Sequence, residues 1–279
     1  MNTLPPPRIA FDSSRAWAEA AAAVSANRDV LLALAGVFVV LPTFAMAILV
    51  PPPLPQTGIS MQALVATMGE YYRSNALPLI AAALIHMIGT LAMLALITDE
   101  TRPTVGQTIK QGFTSTPSVI AAQLVLGMAI GAVVLLPVAL GGALKSPAIL
   151  VVALAAALGL AVWAWVRASL VSPAVLVDRL ANPLTALKRS WQLTEGNALR
   201  LLGFFALLVI ASLVIMAVAE SAIRLVLALL IGASGAELGA AFVAAVLQAV
   251  MTVYFVAVTA TAHRQLAEAS APLVTRPSK

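Results

Sequence analysis

Six stretches of the chain, 30–50, 76–97, 119–140, 148–166, 201–219 and 238–260, contain no Asp, Glu, Lys or Arg. A helix rises 1.5 Å per residue, so about 20 apolar residues cross a hydrocarbon core ~30 Å thick. A charge at the centre of such a helix costs roughly 2.5–3.5 kcal/mol on insertion scales, which gives the charge-free gaps a physical origin. The pattern predicts six transmembrane helices. Ala45-Met46-Ala47 in the first stretch has the look of a cleavage site. A helix-like segment precedes it, however, and the run is longer than a signal core, so the first helix is expected to be retained.

The segments between the spans carry a second pattern. Asn182 followed by Pro183 is an N-cap with proline at the first helical position. That helix is expected to run to Glu195 and stop at Gly196, with Leu184, Leu187 and Trp191 as its apolar face and Lys188, Arg189 and Gln192 largely elsewhere. Thr104 and Gln107 have capping-box spacing, opening a shorter helix with Val105, Ile109 and Phe113 on one side. Ser13 or Ser14 can cap a third, with Trp17, Ala20, Ala21 and Val24 on one side. All three suit the cytoplasmic membrane interface, and each precedes a pair of spans. The recurrence leaves two readings open: three parallel hairpin repeats, beginning near Phe11, Pro103 and Asn182, or the amphipathic character that any loop beside a bilayer shows. On the opposite side, 140–147 reads as a tight hairpin, and 59–72 as a surface helix anchored by Tyr71 and Tyr72. The apolar run 223–231 is too short to span, and is expected to lie in the outer interface or to re-enter.

Composition agrees. Hydrophobic residues make up 61% and charged residues 10% of 279 positions, against roughly 45–50% and about 25% in soluble domains. The expected fold is all-α, a polytopic integral membrane protein with one membrane domain over 1–279. Thirteen of the sixteen Lys and Arg residues, among them Arg15, Lys110, Lys188 and Arg276, fall on the N-terminus, the second and fourth loops and the C-terminus. Arg73, Lys145 and Arg224 fall on the other loops. The positive-inside rule therefore places both termini in the cytoplasm. The net charge of +5 follows from this topology and implies no nucleic-acid partner.

Candidate chemistry is sparse. The absence of cysteine excludes disulfides, thiolate metal sites and cysteine nucleophiles. His86 lies inside the second span, where an ionisable residue is a functional candidate. A proton relay would need acidic partners that the spans lack, so a neutral histidine bonded to a neighbouring helix is the expected state. His263, beside Arg264 at a helix end, suits the helix dipole. Gly127 and Gly131 form a small-xxx-small pair that can bring backbones close, and Gln123 can hydrogen-bond across helices. Trp163, Trp165 and Arg167 read as belt aromatics with a snorkelling arginine. Basic residues there gain ~1 kcal/mol each from anionic lipid. No phosphate-binding Gly-rich loop with lysine, paired histidines at metal spacing or Gly-x-Ser-x-Gly elbow occurs. No catalytic residue, cofactor or metal site is expected.

The stretch from Arg167 to Phe205 carries a more specific signal. It reads Arg167, Pro173, then Asn182-Pro183-Leu184-Thr185-Ala186-Leu187-Lys188-Arg189-Ser190-Trp191-Gln192-Leu193-Thr194-Glu195-Gly196-Asn197, then Arg200 and a further apolar helix. This resembles the membrane-domain family of glycerophosphoryl diester phosphodiesterases. The resemblance covers about 40 residues and rests on Arg167, Pro173, Ser190, Trp191, Leu193, Thr194, Gly196 and Asn197. It implies a bacterial inner-membrane module. It does not imply hydrolysis, because the family's hydrolase chemistry belongs to a soluble barrel with histidines and carboxylates. Two functional readings follow. One is a non-enzymatic scaffold or accessory protein of envelope or lipid processes, with membrane lipids and membrane proteins as partners. The other is a transporter or lipid-handling protein with a cavity among its helices.

Overall fold

The structure, a computed structural model, describes residues 10–53, 58–99, 101, 103–143 and 146–270. Among them it is all-helical: α1 (Ser13–Ala26), α2 (Arg28–Ala35), a π-helical turn (Gly36–Val40), α3 (Leu41–Leu49), α4 (Met61–Ser74), α5 (Ala76–Thr98), α6 (Val105–Ala143), α7 (Pro147–Ala168), α8 (Val171–Leu176), α9 (Pro183–Leu193) and α10 (Ala198–Ser270). Six helical segments are long and apolar enough to cross a membrane: Arg28–Leu49, Ala76–Thr98, Val105–Pro137, Leu150–Leu176, Ala198–Leu230 and Gly235–Ala269. They coincide with the six charge-free stretches and extend most of them. Protein covers only 11% of the third, fourth and fifth, and Leu77, Leu199 and Leu229 are almost fully exposed. Such a surface is stable only in an apolar solvent.

Several helix ends follow the sequence rules. Asn182 Oδ1 accepts the N–H groups of Leu184 (2.9 Å) and Thr185 (3.4 Å), with Pro183 at the first position. Thr104 and Gln107 exchange bonds, N–H of Thr104 to Gln107 Oε1 at 2.8 Å and N–H of Gln107 to Thr104 Oγ1 at 3.4 Å. At α1 the cap is Asp12 rather than Ser13 or Ser14, since Asp12 Oδ1 accepts the Arg15 N–H at 3.0 Å. The surface helix expected at 59–72 is α4, capped by Ser60, with the Tyr71 hydroxyl donating to the Val50 carbonyl at 3.0 Å.

Two expectations are corrected, and one open question is settled. The segment after Thr104 is no separate helix, but runs unbroken through Pro117 into the third span as α6. The run 223–231 is the continuation of the fifth span, and Arg224 donates to Glu220 one turn back at 2.8 Å, so its charges are met on the helix surface. The chain reverses at Gly232, whose φ of 80° and ψ of 172° interrupt α10. Gly127 and Gly131 make no close approach: a Cβ on either would meet nothing within 4 Å. Arg8, Arg102, Lys145, Arg276 and Lys279, used in the charge count, lie outside the described residues.

The chain groups into two compact units. One comprises Val24–Thr116 and Val209–Val256. Its centre is the C-terminal half of α5, where Leu91, Ala92, Met93, Leu94 and Ala95 are all buried. Gly89 lies against the Phe38 side chain in the π-helical turn. A Cβ on Gly112 would stand 2.6 Å from the Ile88 carbonyl oxygen. These are the close backbone approaches that glycine permits here. The other unit comprises Met1–Ala23, Pro117–Leu208 and Ala257–Lys279, and it holds the whole Arg167–Phe205 motif.

Candidate functional site

The motif joins three helices at their ends. The α7 backbone finishes at Ala168, a short turn leads to α8, and α9 lies alongside both. A helix end leaves about four carbonyls and four N–H groups without intrahelical partners. Ser190 supplies two of these at once. Its hydroxyl donates to the Arg167 carbonyl at 2.7 Å and its oxygen accepts the Leu170 N–H at 3.2 Å. Thr194, one turn on, donates to the Ser190 carbonyl at 2.9 Å and lies 3.5 Å from the Arg167 carbonyl. Both side chains are fully buried. Pro173 is buried in α8, and its carbonyl accepts the Val177 N–H at 2.7 Å.

Within the protein the buried residues of α9 are Ala186, Ser190 and Leu193, a different side from the apolar face named from the sequence. Small and polar groups turn inward because the surface they meet is backbone. Leu184 is 60% exposed, and Leu187 and Trp191 are half-buried. After Leu193 the chain turns through Gly196, whose φ of 79° is left-handed and suits glycine. Asn197 follows, buried, with Oδ1 accepting the Phe11 N–H at 2.8 Å. Phe11 also packs on Phe204, ring centroids 5.6 Å apart. The N-terminal helix is further tied by Thr261 Oγ1, which donates to the Ala16 carbonyl at 3.1 Å, and by the pair Arg264–Glu19 at 2.6 Å.

Arg167 does more than snorkel. Its guanidinium lies over two rings, 5.5 Å from the Trp163 centroid and 5.3 Å from that of Trp191. The two indoles meet edge to face at 5.3 Å. Arg167 Nε is buried with no hydrogen-bond partner, and Glu195 lines the same cavity as this arginine. Trp165 takes a different course and packs on Phe205 at 6.2 Å. Two cavities flank this aromatic stack. One, of about 270 Å³, is lined by Arg167, Leu187, Lys188, Trp191, Gln192 and Glu195. The other, of about 290 Å³, is an apolar groove along α6 and α7 that includes Leu126, Ile130, Val133, Leu160, Trp163 and Trp191.

Sequence reasoning missed a second cluster. Asp178 Oδ2 accepts from Arg189 Nε at 2.9 Å and lies 3.3 Å from His263 Nε2. His263 is thus a buried partner of a carboxylate 85 positions away, not a cation placed for the helix dipole. No local pattern marks such a pair. His86 is half-buried in its span, and its ring has no hydrogen-bond partner among the described residues, contrary to expectation. Gln123 is exposed. No group of three His, Cys, Asp or Glu residues is placed to hold a metal ion among the described residues.

Compared with family models, with curated proteins and with solved structures, the chain matches none.

Proposed function

We propose that this chain is a non-enzymatic, multi-pass accessory protein of a bacterial inner membrane, with both termini in the cytoplasm, acting in envelope or lipid processes. The observation that carries the non-catalytic reading is the use made of the motif. Ser190, Thr194 and Asn197, its uncharged hydrogen-bonding side chains besides Trp191, are spent on backbone groups at helix joints. A hydroxyl that donates to one carbonyl and accepts one N–H has no role left as a nucleophile or acid. The motif is a brace that sets α9 across the ends of α7 and α8, and the resemblance to the phosphodiesterase membrane domain is proposed in that sense alone.

The outward face of α9, with Leu184, Leu187 and Trp191, supports an interfacial placement, as does the exposed Trp17 of α1. The repeat proposal extends only to the first and third units. Helices α1 and α9 each stop before a span begins, whereas the segment after Thr104 does not. Single cysteines introduced into this cysteine-free chain test the orientation. Positions 15, 110 and 188 should resist an impermeant reagent applied from outside, and 73 and 224 should react; labelling at 188 overturns it. Crosslinking in native membranes tests the accessory role. Discrete partner bands are expected, and a purified chain that by itself hydrolyses or moves lipid in vesicles would overturn it.

A second reading, lipid handling, is favoured by the apolar groove along α6 and α7. It opens beside two aromatic rings and a cation, the arrangement a lipid needs at the level of its headgroup.

A further inference from the structure

We propose that the cleft beside α9 binds one anionic glycerophospholipid, with its phosphate between Arg167 and Lys188 and an acyl chain in the groove along α6 and α7. The proposal rests on the lipid-handling reading and gives it a ligand class.

Four observations converge. Arg167 and Lys188 line one mouth of about 270 Å³. The Arg167 guanidinium is held over two indole rings. Ring contacts fix the plane of the fork, and a planar fork is the group best matched to two phosphate oxygens. Arg167 Nε is a buried donor without a partner, a state that is costly until an acceptor arrives. Finally, Trp191 and Leu187 line both cavities, so the cationic mouth and an apolar groove of about 290 Å³ adjoin across these two side chains. A free phosphate would use only the mouth and a hydrocarbon only the groove. A phospholipid uses both.

Charge selects the headgroup. The mouth holds two cations and one carboxylate, Glu195. One phosphodiester without an ammonium balances that set. Phosphatidylethanolamine would bring a further cation to a site already positive, and phosphatidylglycerol would not.

The test uses the full chain in detergent micelles, with Trp17→Phe and Trp165→Phe so that fluorescence reports Trp163 and Trp191. Phosphatidylglycerol brominated on its acyl chains is titrated against brominated phosphatidylcholine and phosphatidylethanolamine, with soluble glycerophosphate as competitor. Phosphatidylglycerol should quench at the lowest concentration. Lys188→Ala should weaken it about fivefold and Arg167→Gln about tenfold or more. Glu195→Gln should act in the opposite sense and tighten it about threefold. If Arg167→Gln fails to fold, the opposed signs of Lys188→Ala and Glu195→Gln, both at exposed positions, carry the decision. Quenching that is blind to headgroup and to both variants overturns the proposal while leaving the lipid-handling reading. Competition by glycerophosphate at the concentration of the lipid also overturns it. If Ala129→Phe, which fills the groove, leaves quenching unchanged, the groove holds no lipid and both fall.

Discussion

Replacing Ser190 by alanine removes one hydroxyl and strands up to two backbone groups. The residue is fully buried, so water cannot take its place. The Arg167 carbonyl retains an alternative donor, Thr194 Oγ1 at 3.5 Å. The Leu170 N–H opens α8, and its bond to Ser190 Oγ has no evident substitute. One orphaned buried donor costs about 1–3 kcal/mol in soluble proteins. Hydrogen bonds among membrane helices average nearer ~0.6 kcal/mol, because the unfolded chain in the membrane also finds partners. The joint lies at a helix end, and the expected loss is about 1–2 kcal/mol. The assay is tryptophan-detected unfolding in detergent. Thr67→Ala serves as control, an exposed residue of α4 that bonds only to the Ala63 carbonyl one turn back. Because Thr194 shares the Arg167 carbonyl, Ser190→Ala and Thr194→Ala should be non-additive, the double variant losing more than the sum by about 0.5 kcal/mol or more. A Ser190→Ala variant no less stable than Thr67→Ala, or strict additivity with Thr194→Ala, would refute the brace.

Two further outcomes follow from particular contacts. Burial tends to raise the Glu19 carboxyl, but hydrogen bonds from Arg264 and Arg15 outweigh it and hold it below the usual carboxylate range. A carboxylate depressed in the folded state stabilises at pH values above its unfolded pKa, and loses that contribution as pH falls through the folded pKa. Acid unfolding of the native chain should therefore include a component that Glu19→Gln removes, with the two proteins converging at low pH; identical pH profiles would refute it. Gly112→Ala should destabilise by about 1–3 kcal/mol through its clash with the Ile88 carbonyl, whereas Gly127→Ala and Gly131→Ala, facing open space, should be neutral or slightly stabilising. Unfolding of the three variants side by side decides this, and the reverse order would overturn the glycine assignment.

Much of the fold was legible in the sequence because its strongest terms are local. A charge-free run of bilayer length marks a span, and Asn182-Pro183 or Thr104 with Gln107 marks a helix start, without reference to anything distant. Failures arose where the pattern did not say what a side chain would meet. The run 223–231 looked separate because Glu220 and Arg224 were taken as ending a span, but the two charges satisfy each other across one turn. The side of α9 that packs on the protein was not legible, because hydrophobicity marks apolar partners and the partner here is the backbone around Arg167 and Leu170. Gly127 and Gly131 matched a spacing rule with no neighbour to receive them, while Gly89 and Gly112 have their neighbours, Phe38 and Ile88, far along the chain. Of the motif, Gly196 was readable as a helix stop. The stacking of Arg167 on Trp191 was not, since 24 positions separate them.

The reversal at Gly232 also bears on how this protein tolerates change. Unbroken, the 73 residues of α10 would form a rod of about 110 Å, more than three hydrocarbon cores long. A single residue in a backbone region open almost only to glycine makes it two membrane crossings instead. Yet a Cβ at 232 would strike nothing within 4 Å. The constraint there is purely dihedral, invisible to any measure of packing. A position that looks spacious enough to vary freely is one where the route of the polypeptide across the bilayer hangs on one torsion angle.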